Sequence, residues 1–112
     1  MDIVGRYIDT FCNAAIDKGD GTSDRDNEFY DLMKSMYIKL EKHPSGLEAF
    51  NQLLKHKNSI ISSWAASQLL AKYDNKMALL VLERISKEDS FEGFSAEIVV
   101  KEYKNGNLKP PF

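Results

Sequence analysis

Residues 64–73 recur, in pattern, thirty positions later in the chain. Trp64 falls on Phe94, Ala66 on Ala96, Leu69 on Val99, Leu70 on Val100 and Tyr73 on Tyr103. At a shift of twenty-nine, Ala49 falls on Ala78, Phe50 on Leu79 and Leu53 on Leu82. A one-residue difference between the two shifts is what a loop insertion produces. Two-helix units of about thirty residues, stacked so that neighbours share a core, are the pattern of an α-solenoid. A plain helical bundle with coincidental similarity is the competing reading.

Hydrophobic spacing agrees with helices throughout. Ile3, Val4, Tyr7, Ile8, Phe11, Cys12 and Ala15 form one i, i+3/i+4 stripe. "KGDGTSD" interrupts it, with Ser23 or Asp24 as the next N-cap. Phe29, Leu32, Met33, Met36, Tyr37 and Leu40 form the second stripe, which stops before Pro44 because proline disfavours helical geometry at the residue preceding it. Ser45 and Glu48 have capping-box spacing and open a third helix. Asn58 or Ser59 caps the fourth, Asp74 or Asn75 the fifth, and the sixth runs over roughly 91–104, with Gly106 at its stop. No segment alternates with period two. The expectation is an all-α, short HEAT/armadillo-like solenoid of about six helices in three antiparallel pairs. It makes one domain over 1–112, with pairs at 1–43, 45–73 and 74–104 and an extended tail at 105–112. The apolar stretch 63–85 makes helices four and five the central ones, with Trp64, Leu69, Leu82 and Ile85 buried.

Composition narrows the function classes. Fifteen basic residues against seventeen acidic ones leave a net charge of −2, which argues against nucleic acid as the main partner. One cysteine, Cys12, cannot form an intrachain disulfide, and a reducing compartment suits that usage. No apolar run reaches the ~18 residues of a membrane span, and the N-terminus lacks the basic start and unbroken apolar run of a signal peptide. The chain is expected to be cytoplasmic.

The segment "LLKHKNSIISSWAASQLLAKYDNKMALLVLERI" resembles a HEAT-type repeat. With "FEGFSAEIVVKEYKNGNLKPPF" it resembles a bacterial family known as domain of unknown function two thousand and nineteen, over about residues 45–112. One departure is visible: Ile61-Ser62 stands where HEAT-type units often carry Val-Arg at the start of the second helix. The resemblance implies an armadillo/HEAT-like fold. It also implies kinship with small immunity proteins of bacterial toxin systems, and it brings no catalytic residues.

Candidate chemistry is sparse. Asp17 to Glu28 spans twelve residues between two helices, the length of a calcium loop, but Gly19 and Gly21 occupy ligand positions and Thr22 the glycine position. His43 and His56 are the only histidines, no metal-ligand spacing exists, and the serines near His56 lack a third orienting group. No cofactor, metal or catalytic residue is expected. Residues 17–31 carry six acids against two bases, net −4. They suit the N-terminus of a helix, and they equally suit a basic partner surface. Ser59, Ser63 and Ser67 share a helical face, which the repeat places beside Asp89, Gly93 and Glu97. The expected partner-binding residues are Asp20, Asp24, Asp26, Glu28, Asp31, Ser63, Ser67 and Glu97. The expected function is non-enzymatic protein binding, most concretely that of a cytoplasmic immunity protein that occludes a basic toxin domain, of which a nuclease is one plausible kind. The alternatives are a scaffold or self-assembly module, and an enzyme or ligand carrier with an unadvertised pocket. Oligomeric state stays open.

Overall fold

Side-chain caps start the helices of the second half. Asn58 accepts the Ile60 N–H at 2.9 Å and opens one helix, and Asn75 accepts the Ala78 N–H at 3.0 Å and opens the next. Ser90 accepts the Gly93 N–H at 3.1 Å and opens the last. Each satisfies a backbone donor that the helix itself leaves unpaired. The computed structural model describes residues 2–19 and 26–112. In order, the elements are α1 (Ile3–Gly19), α2 (Asp26–Lys42), α3 (Gly46–Asn51), a 3-10 turn (Gln52–Lys55), α4 (Ser59–Tyr73), α5 (Lys76–Ile85) and α6 (Phe91–Lys104). The described residues are all-α, with six α-helices and no strand.

The helices gather into two compact units, residues 1–52 and 53–112, divided inside the 3-10 turn. In the first, α1 packs along α2, and α3 packs on both. In the second, α4, α5 and α6 each pack against the other two. These contacts establish the fold class; they do not establish the stacking of three pairs expected from the repeat.

The first unit centres on Phe50. Its ring meets Phe11 edge-on at 5.1 Å and Tyr37 at 5.0 Å, the arrangement that aromatic quadrupoles favour. Val4, Ala14, Ala15, Met33, Met36 and Leu40 complete the core. Tyr37 satisfies its hydroxyl by donating to Glu41 at 2.9 Å. The entry to α3 corrects the capping-box expectation. Ser45 has φ −110° and ψ 8°, not the extended geometry of a capping residue, and its side chain caps nothing. Its N–H donates to His43 Nδ1 at 3.2 Å, and its hydroxyl lies at the same distance from that nitrogen.

In the second unit, α4 buries Ile61, Ser62, Ala65, Ala66, Gln68, Leu69 and Leu70, so it is shielded around most of its circumference as expected of a central helix. Ser62, in the place of the missing arginine, returns its hydroxyl to Asn58 O and Ser59 O. α5 departs from expectation. Ala78, Val81, Leu82 and Ile85 are buried, but Met77 and Leu80 are 57% and 59% exposed, so this helix has one apolar face inside and another outside. Between α4 and α5, Asp74 adopts the left-handed conformation at φ 53°. Its N–H donates to Leu70 O and that of Asn75 to Leu69 O, which closes α4 and lets the chain reverse in two residues. The Asp74 carboxylate accepts from the Tyr103 hydroxyl and from Lys76 Nζ, fastening the end of α6 to this reversal. Those two donors, Tyr103 first, hold the Asp74 carboxyl below its ordinary range.

Trp64 is a second correction: it is half-buried, not enclosed between helices. Its ring stacks on Phe112 of the tail at 5.8 Å and 22°, and the Phe112 N–H donates to Gln68 Oε1 at 3.0 Å. The tail therefore docks on α4. The α6 helix ends with Gly106 at φ 75° and the Asn107 N–H on Glu102 O.

The turn from α5 to α6 depends on Gly93. A Cβ there would overlap the Glu88 carbonyl and crowd that of Ile85. Gly93→Ala should lower stability by about 1–3 kcal/mol, the range for overpacking a tight contact. A urea midpoint equal to that of the parent protein would show that this approach is looser than described.

Candidate functional site

The expected partner-binding residues divide between the two units. Asp20 and Asp24 lie outside the described residues, as do the cap candidate Ser23 and half of the calcium-length loop. Asp26 is the first residue of α2, and Glu28 and Asp31 are exposed on it. Asp31 borders a shallow depression whose other lining residues are Lys34, Ser35, Ile38, Lys39 and Lys42. Three lysines there mean that the acidic character of the 17–31 region does not continue along α2.

In the second unit, two hydroxyls of the serine face of α4 are already engaged. Ser67 donates to Ser63 O at 2.8 Å, a bond back to its own helix. Ser59 donates to Glu88 Oε2 at 2.9 Å, one residue from the Asp89 neighbour that the repeat placed beside it. Ser63 and Ser67 are half-buried, and Glu97 is exposed on α6.

A different surface emerges on α6. Phe91 is 75% exposed, Phe94 62% and Ile98 45%, at i, i+3 and i+7 on one helical face. Single exposed apolar residues are ordinary, but three in register on one helix form a patch. The local charge is one-sided: Glu88, Asp89, Glu92 and Glu97 fall within residues 88–97, which contain no lysine or arginine. Glu88, Asp89 and Glu97 are exposed and Glu92 half-buried. Ser90 and Gly93 fix the start of this helix, so the phenylalanines stand on a capped, well-seated element. The thirty-residue repeat, which pairs Phe94 with Trp64, does not point to this patch. The run "EDSFEGFSAE", acids interleaved with two phenylalanines and no base, was the available signal.

The remaining chemistry is structural in character. His43 Nδ1 accepts the Ser45 N–H, and His56 Nδ1 accepts the Asn58 N–H at 3.0 Å, so both imidazoles stabilise turns. Among the described residues no group of three or more His, Cys, Asp or Glu side chains is placed to hold a metal ion. No described helix is long and apolar enough to cross a membrane. Comparison with protein-family models, curated proteins and solved structures returns no match.

Cys12 is half-buried on α1. Burial, reinforced by the nearby negative charge of Asp9, pushes its thiol up to about 11 from 9.0. The thiolate is the reactive form, so at pH 8 alkylation should run about a hundredfold slower than for an unshifted thiol. The rate should climb tenfold per pH unit through pH 10. Labelling by iodoacetamide at the rate of a free cysteine would contradict this environment.

Proposed function

We propose that the protein is a non-enzymatic binding module, an immunity-type protein that neutralises a toxin by stoichiometric occlusion. This reading carries with it the kinship to the domain-of-unknown-function family, the HEAT-like stacking and a cytoplasmic site of action. The observation that supports it best is the aromatic and acidic patch of α6. Aromatic side chains carry much of the binding energy of protein interfaces, and acids around them steer a basic partner and suppress acidic ones. A toxin that holds nucleic-acid phosphates presents a basic site of this kind, and an arginine there can stack on an exposed phenylalanine while pairing with a flanking carboxylate. Glu97 belongs to this surface. Asp20, Asp24, Asp26, Glu28 and Asp31 supply, in this reading, longer-range attraction from the first unit.

The test is co-expression and pull-down with the product of the neighbouring reading frame, followed by substitution. Phe91→Ser with Phe94→Ser should weaken the complex at least a hundredfold, because central aromatics of an interface are each worth about 2 kcal/mol or more. Stability should hold or rise, since both rings face solvent. Asp20, Asp24 and Asp26 replaced together by Asn should slow association and flatten its salt dependence with a smaller change in dissociation. An unaltered complex in the phenylalanine double variant, together with slowed association in the triple variant, would place the interface on residues 17–31. Protection by catalytic amounts of the protein would refute occlusion.

A further inference from the structure

We propose that the outer face of α5 on one copy of this chain binds the outer face of α6 on a second copy, so that the protein associates with itself through two complementary patches. The proposal goes beyond the toxin reading and does not rest on it.

The α5 face is the one that departed from expectation. Met77 and Leu80 stand in solvent, Arg84 follows Leu80 after one turn, and Lys87 lies in the turn beyond the helix; both cations are exposed. Met77, Leu80 and Arg84 lie at i, i+3 and i+7, the same spacing as Phe91, Phe94 and Ile98 on α6. The two stripes carry opposite charge. Arg84 and Lys87 border the first, and the exposed Glu88, Asp89 and Glu97 border the second. The other charged groups of α5 are already matched. Lys76 pairs with Asp74 at 3.1 Å, and the half-buried Glu83 faces Lys104 of α6 at 3.8 Å.

One chain cannot join its own stripes. Its α5 and α6 already pack on each other and on α4, with Ala78, Leu82 and Ile85 of α5 and Gly93 and Ala96 of α6 turned inward. The outer stripes face away from that core, so another molecule must supply the match, and a second copy carries it.

Charge decides the direction of the pairing. With the helices antiparallel, Leu80 sits on Phe91 of the other copy and Met77 on Phe94, which brings Arg84 and Lys87 beside Glu88 and Asp89. An arginine in that place pairs with a carboxylate while covering an aromatic ring. A parallel arrangement would set the same cations against the exposed Lys101 and Lys104 at the far end of α6. An apolar centre with opposite charges at its rim is the anatomy of a specific contact. Two short helix faces bury little area, which makes the contact weak and transient. Every copy carries both stripes, so the contact forms twice in a closed pair or once at each junction of a row. A toxin bound at the α6 patch competes with it, so self-association covers the patch until such a partner arrives.

The test is sedimentation of the full chain from micromolar to millimolar concentration, where the average mass should rise. Arg84→Glu with Lys87→Glu, and separately Asp89→Lys with Glu97→Lys, should each need at least about tenfold more protein for the same rise, because like charges then meet. An equimolar mixture of the two variants brings opposite charges together again and should recover to within about threefold of the parent. Circular dichroism verifies that both are folded. Leu80→Ser should also suppress association while leaving capture by the product of the neighbouring reading frame intact, which separates this contact from the toxin reading. A parent chain that stays monomeric to millimolar concentration would overturn the proposal. So would a mixture that fails to recover, or undiminished association in either charge-reversed variant or in Leu80→Ser. Self-association without capture of the neighbouring product would count against the toxin reading alone.

Discussion

The second unit is held together at small residues. Ala65 and Ala66 on α4, Ala78 on α5 and Ala96 on α6 are all fully shielded, and Gly93 brings the start of α6 against the Glu88 carbonyl. Small side chains let helix backbones approach closely, and the larger Leu69, Leu70, Leu82 and Ile85 fill the space around that seam. The arrangement has a cost on α6. A helix that inserts only glycine and alanine into the core leaves its large residues elsewhere, and Phe91, Phe94 and Ile98 stand outside. Their exposure is therefore a product of how the core is packed, and no local loosening is needed to keep them accessible.

The same register separates two fates for one helical face. At the thirty-residue shift, Trp64 and Gln68 of α4 correspond to Phe94 and Ile98 of α6. On α4 the pair is covered by the tail, with Trp64 stacked and Gln68 hydrogen-bonded to Phe112. On α6 it is open and purely apolar. Replacement of isoleucine by glutamine at the equivalent site turns a surface that can only pack into one that can also grip a backbone. Repetition of the helix thus gives two faces of related shape and different chemistry.

How far these features were legible in the sequence depended on whether they were local. The caps at Asn58 and Asn75, the span 91–104 and the stop at Gly106 follow from residue types within a few positions, and the structure has them there. The core residues Leu69, Leu82 and Ile85 follow from periodicity and are buried as expected. Ser45 had the right spacing for a capping box, but its backbone angles were set by the His43 turn, which spacing does not reveal. Trp64 was misjudged because its cover comes from Phe112, far along the chain, in a tail without periodicity. The α6 patch is not legible in the repeat, which shows which positions correspond, not which of two corresponding faces lies open. Of the candidate binding residues, Glu97 lies on an exposed aromatic surface, whereas Ser67 is spent within its own helix.

The side-chain bonds from Ser59 to Glu88 and from Tyr103 to Asp74, which join helices and turns of the second unit, span twenty-nine positions, and the contact between Phe112 and Gln68 spans forty-four. Short loops close at lower entropic cost than long ones, and folds built on local contacts form quickly. The three helices of the second unit can therefore assemble before the tail arrives. In that order of events the surface around Trp64 and Gln68 forms before its cover does.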